Sequence, residues 1–122
     1  MIKLTFCLRR RSGLSREEFQ QYWRERHAPL VKRHAATMGC KRYVQVHTSA
    51  PEYNEQMRVE RGGPEPYDGV AELWFDESEF QSPSFDLVAI RKAVEILIAD
   101  EREFIDLSQS PLFYGVEQPI ID

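Results

Sequence analysis

Hydrophobic and polar positions alternate strictly through "IKLTFCL". Ile2, Leu4, Phe6 and Leu8 share one side, and Lys3, Thr5 and Cys7 the other. A period of two predicts a half-buried strand. After "RRRSGL", Ser15 and Glu18 have the spacing of a capping box, which opens a helix. Phe19, Tyr22, Trp23 and Leu30 then recur at helical spacing, and Gly39 is a natural stop. "GCKRYVQVHT" predicts a second strand, with Val44 and Val46 opposite Tyr43, Gln45 and His47. Residues 49–66 hold three prolines and two glycines and read as a long loop with room for one helical turn, of the kind that forms lids or site walls. "YDGVAELWF" predicts a third strand, in which Ala71, Leu73 and Phe75 alternate with Val70, Glu72 and Trp74.

Residues 84–99 predict a second long helix. Its apolar arc is Leu87, Ala89, Ile90, Ala93, Val94, Leu97 and Ile98, with Arg91, Lys92 and Glu95 on the wet side. Asp100 and Glu101 would fall inside that arc, so the helix is expected to end or turn there, before "EREFID". "PLFYGVEQPII" predicts a fourth strand, and Pro119 marks an edge or a strand end. The order β-α-β-β-α-β is the split βαβ arrangement of a ferredoxin-like α+β sandwich with an antiparallel sheet. Both helices would cover one sheet face. The other face is expected to carry Tyr43, His47, Glu72 and Trp74, with Thr5 and Cys7 beside them. That set is too aromatic for a wet surface and too polar for a core. A second copy of the chain covering it would form a homodimer with a cavity lined by these residues.

Composition changes this picture little. A length of 122 residues suits one domain spanning 1–122. No apolar run reaches the roughly 20 residues of a membrane span, no signal-peptide pattern opens the chain, and a cytoplasmic protein without a membrane partner is expected. Cys7 and Cys40 are expected as free thiols, and no Cys/His spacing suggests a metal. Charge is uneven. Residues 1–61 hold 13 Lys/Arg against 6 Asp/Glu, and residues 62–122 hold 3 against 14. Arg9-Arg10-Arg11 invites a nucleic-acid reading, but the chain is acidic overall and has no RNA-binding aromatic motif. No nucleic-acid partner is expected, and the two halves are expected to neutralise each other within the fold or across a dimer. "RGGPEP" follows no strand and opens no helix, so no dinucleotide cofactor is expected, nor any other cofactor or metal.

One interruption points to chemistry. In "EEFQQYWRERHAPLVKRH", residues 17–34, Pro29 lacks a backbone donor and crowds the preceding turn. It also disfavours helical geometry at Ala28. The helix is expected to bend or restart near His27, freeing the imidazole to reach a cavity mouth. Two roles fit His27: proton transfer near neutral pH, or a structural cap of the broken helix. Tyr43 fits donation to a developing oxyanion or dimer packing. Glu72 fits a base with a raised pKa or an ion pair with Arg42 or Lys41. Trp74 is the candidate for stacking on an aromatic ligand. His47 fits a rim position and Cys7 a small apolar filler; Tyr22 and Trp23 fit core, and His34 a boundary.

"FQQYWRERHAPLV", "YDGVAELWF" and "ADEREFID", in that order, resemble the EthD family of dimeric α/β barrel proteins. The resemblance implies a ferredoxin-like protomer whose sheet pairs with a second sheet in a dimer. Among barrel relatives are cofactor-independent monooxygenases, lactone isomerases, and cyclases, dehydratases or decarboxylases of aromatic polyketides. It also places the family's motif histidine at His27. The expectation that follows is a cofactor-independent enzyme of small aromatic, polyketide or lactone metabolism, or of aromatic degradation, with His27 and Tyr43 catalytic. Trp74, Glu72, His47, Cys7 and Thr5 would contact substrate. The alternatives are a non-catalytic dimeric barrel that binds a small hydrophobic or aromatic ligand, and accessory haem handling with His27, His34 or His47 as axial ligand.

Overall fold

The structure is a computed structural model, and it describes residues 1–121. Four strands form one antiparallel sheet in the order β2-β3-β1-β4: β1 Ile2–Leu8, β2 Cys40–His47, β3 Gly69–Phe75 and β4 Leu112–Gly115. This is the ferredoxin-like α+β arrangement, with β4 at an edge and only four residues long. Helix α1, Arg16–Tyr22, starts at the expected capping box, in which Ser15 accepts from the Glu18 backbone and Glu18 from that of Ser15. Helix α2, Ala28–Met38, stops at Gly39, which is left-handed with φ 76°. Phe19, Trp23, Val31 and Met38 are buried, whereas Leu30 is only half-buried.

Between α1 and α2 the chain neither breaks nor restarts. Trp23–His27 form a π turn, and Ala28 keeps helical angles of φ −56° and ψ −44°. The Ala28 N–H donates to the carbonyl of Trp23, five residues back. Widening the turn makes room for the Pro29 ring where a regular turn would clash with it. The expected distortion at His27 is therefore present as a bulge inside a continuous rod.

Residues 49–66 differ from expectation. Pro51–Arg61 form a three-turn helix, α3, with Pro51 in the first turn and Gly62 left-handed after the last. That is the favoured placement of both residue types. No residue of α3 is buried, so it presents no apolar stripe for periodicity to detect. Helix α4, Leu87–Glu101, begins where Asp86 accepts from the Ala89 N–H, three residues later than expected. Leu87 is exposed rather than part of the packed arc, while Ala93 and Leu97 are buried. The helix ends at Glu101, one residue into "EREFID", where the acids on the apolar arc placed its end.

Ion pairs join the basic half of the chain to the acidic half, as charge asymmetry suggested. Lys3 pairs with Glu72, and Lys41 with Glu79 at 2.7 Å. Buried Asp68 receives Arg10 at 2.5 Å and Arg16 at 3.0 Å. These bonds fix the Arg9–Arg16 loop, which is a structural use for the arginine run. No helix among the described residues is long and apolar enough to cross a membrane.

Candidate active site

Register decides which side chains meet. Residues paired across an antiparallel sheet share a face. Tyr43 pairs with Leu73, Gln45 with Ala71 and His47 with Gly69, so Tyr43, Gln45 and His47 lie on the face under the helices. Val44 pairs with Glu72, Thr5 with Glu72, and Cys7 with Val70, which puts Thr5, Cys7, Val44, Val70 and Glu72 on the opposite face with Trp74. The expected grouping of Tyr43 and His47 with Glu72 and Trp74 is thus corrected. Alternation along β2 was right, but the valines face outward. A register irregularity between Cys40 and Arg42 precedes this pairing.

Beneath the helices, the sheet face forms the floor of a half-open cavity of about 570 Å³. Leu4, Phe6, Ala71, Leu73 and Phe75 form its floor, and Ile90, Val94, Leu97 and Ile98 of α4 its wall. His27, Tyr43 and Glu101 supply the ionisable groups, with Tyr114 at the β4 side. Trp74, Glu72, His47, Cys7 and Thr5 do not line this cavity. Trp74 is buried on the outer face between two cations, with Lys3 Nζ 5.0 Å and the Arg42 guanidinium 4.4 Å from the ring centre, and it donates to Glu117. Glu72 is engaged by Lys3, not by Arg42 or Lys41. His47 stacks on Trp23 at 4.5 Å between ring centres and bonds Gln45 at 2.7 Å. Cys7 is half-buried, and burial raises its thiol pKa.

His27 is buried at 5% exposure, and its ring is held from α4. Nδ1 lies 2.7 Å from Asp100 Oδ2, while the Tyr22 hydroxyl donates to Asp100 Oδ1 at 2.7 Å. Phe104 packs on both rings. An ionised carboxylate accepts but cannot donate, so it selects the tautomer with the proton on Nδ1. Nε2 then carries a lone pair, and the only side-chain hydrogen bond of His27 among the described residues is the one through Nδ1. Burial pushes the His27 pKa down, opposed by the bond to Asp100, so the ring is neutral at neutral pH. Burial and the Asp100 bond push the Tyr22 phenol up to about 12, which keeps it a donor.

Tyr43 accepts a hydrogen bond from Gln45 Nε2 at 2.8 Å, and Gln45 is itself anchored by donation to the Trp23 carbonyl at 3.1 Å. The phenolic proton of Tyr43 is left to donate. Burial raises its pKa as well. Glu101 makes no side-chain hydrogen bond among the described residues, and burial with neighbouring Asp100 pushes its carboxyl up to about 7. Asp100 and Glu101 were the site residues that motif reasoning missed. The signal was present as two acids on an apolar arc.

A four-stranded ferredoxin-like sheet with a largely apolar chamber beneath its helices defines the class as an α+β domain, with the polar groups of the chamber gathered near the π turn. Residues 11–108 match the EthD domain family, and the chain belongs to that family. An ethyl tert-butyl ether D (EthD) family protein from Bacillus halodurans C-125 is 18% identical, with a TM-score of 0.57 over 97% of this chain and 99% of its own. An EthD-like protein from Ralstonia eutropha JMP134 is 18% identical, with a TM-score of 0.56 over 97% and 95%. A dimeric protein of unknown function and ferredoxin-like fold from Bacteroides fragilis NCTC 9343 is 10% identical, with a TM-score of 0.53 over 95% of each chain. No curated protein matches the chain.

Proposed function

We propose that this protein is a cofactor-independent enzyme that moves protons on a small, mostly apolar ring-bearing substrate. The observation that carries the reading is the His27–Asp100 pair: a neutral imidazole fixed through Nδ1, with Nε2 unpartnered at an apolar cavity. Such a nitrogen is a general base. Tyr43, held by Gln45, would donate to the oxygen of a carbonyl as the adjacent C–H bond breaks and negative charge moves onto that oxygen. Ring ketones, cyclised polyketides and lactones contain the ring carbonyl and adjacent C–H bond this pairing requires, and a phenol is the enol form of such a ketone. A cavity of about 570 Å³ lies within the usual range for small-molecule sites.

We also infer a homodimer formed through the outer sheet face. Val46 and Phe113 are exposed there beside half-buried Val44 and Val70, an apolar strip that a second copy would cover. The related Bacteroides protein is described as dimeric, which supports the reading. In such a dimer Trp74, Glu72, Thr5 and Cys7 belong to the interface side of the sheet rather than to the chamber.

Deuterium uptake from heavy water next to the carbonyl of 2-tetralone, followed by proton NMR, tests the base. Wild type should accelerate uptake over buffer, and His27→Ala should lose about a hundredfold to ten-thousandfold of that acceleration. His34→Ala is the control on the same rod and should retain it. Uptake should persist at pH 6.5 and fall in more acid solution, because His27 must be unprotonated and its pKa lies below the ordinary 6.5. Equal uptake by wild type and His27→Ala would overturn the assignment. Binding of the ketone without accelerated uptake would leave a non-catalytic ligand-binding protein.

A further inference from the structure

The chamber contains a second group that the proton-abstracting pair does not use. Glu101 is the last residue of α4 and lines the same cavity as His27 and Tyr43. The cavity wall contains no Lys or Arg. A carboxyl with no hydrogen-bond donor beside it, in a cavity wall without Lys or Arg, is costly to ionise, and its pKa is pushed up to about 7. The groups that act on it are few. Asp100 and Arg102 flank it on its own helix, where Asp100 raises its pKa and Arg102 lowers it. Tyr43 on β2 feels its charge, and His27 from the π turn and Tyr114 from β4 share the cavity. Asp100 is committed to His27 and Tyr22, which separates the roles of two adjacent acids. One orients a base from behind, and the other faces the chamber.

We propose that Glu101 is a second proton-transfer residue of this site, and that the chamber selects uncharged ring ketones and phenols over their carboxylate counterparts. The proposal rests on the proton-transfer reading above and adds both the acid and the substrate class. In the step, His27 Nε2 takes the proton from carbon, and the C–H electron pair becomes the new C=C bond. The carbonyl π pair moves to oxygen, which takes the Glu101 proton. The product is the enol, and the site is left as imidazolium and carboxylate. Proton exchange with water restores both groups, so no oxidant, reductant or cofactor enters the balance. An anionic substrate meets no cation in the chamber, and once Glu101 ionises it meets a like charge in a water-poor space.

Two fluorescent probes of nearly equal shape test the selection, 2-naphthol and 2-naphthoate, titrated into the full chain at about pH 6.5 and about pH 8.5, where each probe keeps one charge state. Wild type should bind 2-naphthol equally at both pH values. It should bind 2-naphthoate at least about tenfold more weakly, with affinity falling further at the higher pH as Glu101 ionises. In Glu101→Gln the further fall should disappear. The same variant should slow 2-tetralone deuterium uptake at least about tenfold. Naphthoate binding as tight as naphthol, the same pH dependence in both proteins, or undiminished uptake in Glu101→Gln would each overturn this inference while leaving the His27 assignment standing. Failure of both probes to bind wild type would overturn both.

Discussion

Glu101→Gln removes one titrating proton from the cavity and almost nothing of its shape. The folded chain holds that proton more tightly than the unfolded chain does, because the carboxyl pKa rises from 4.5 to about 7 on folding. Between those values the native state binds more protons, so wild type loses stability as pH climbs through the window. At about 1.4 kcal/mol for each pH unit, the full displacement corresponds to roughly 3 kcal/mol. Glu101 is half-buried, and screening by water brings the expected difference to about 1–2 kcal/mol. Urea unfolding of both proteins across the range measures it. The variant should match wild type near pH 4.5, gain on it progressively, and keep a constant advantage above about pH 7. His27 contributes with the opposite sign. Its pKa is lowered, so its share of stability is present above 6.5 and lost as the pH falls. That contribution occurs in both proteins and cancels in the difference. A difference that does not change with pH, or a wild type favoured in alkali, would refute the argument that Glu101 is half-buried without a hydrogen-bond donor.

Gly69 lies directly beneath Trp23, and a Cβ there would meet the indole ring and come within 2.9 Å of the Val46 carbonyl oxygen. Gly69→Ala should cost about 1–3 kcal/mol in urea unfolding and should disturb Trp23 fluorescence; an unchanged midpoint would show that the ring is free to move. For assembly, light scattering of wild type should give a dimer mass, and Val46→Glu should shift it toward monomer with the far-ultraviolet spectrum unchanged. A wild-type monomer over a broad concentration range would rule out the dimer.

Where local chemistry sets local structure, the sequence was legible. Ser15 and Glu18 mark the start of α1 because each satisfies the other's backbone donor, a contact that requires nothing distant. The alternation of β1 and β3 is legible because large apolar side chains occupy one face of each. In β2 the more apolar set, Val44 and Val46, faces out. Gln45 and His47 can lie beneath the helices only because the Trp23 carbonyl and ring are there to receive them, and that partnership is tertiary. Only one turn of α3 was legible, for the converse reason: a helix that buries nothing has no packed face to mark its length. Asp100 and Glu101 looked like a terminus because acids on an apolar arc are costly. That cost is offset for Asp100 by two donors from the π turn and its flank, and it appears in Glu101 as a displaced pKa.

The π turn also sets the phase of the rod on either side of it. Trp23 and Val31 are eight residues apart, and both are buried. At about 100° per residue an unbroken α-helix would place them about 80° apart around its axis. Absorbing one residue in the wide turn makes the interval behave as seven, which brings the two to within about 20° of a common line. The widened turn therefore acts as a one-residue insertion that the helix tolerates. Deleting a residue from Trp23–His27 would restore a regular helix with α1 and α2 still in step with the sheet only if Pro29 were replaced as well, since its ring needs the wide turn, and the side chain aimed at Asp100 would no longer be set by the bulge. The wide turn and Pro29 therefore form one unit, and the aim of the imidazole changes only when both change together.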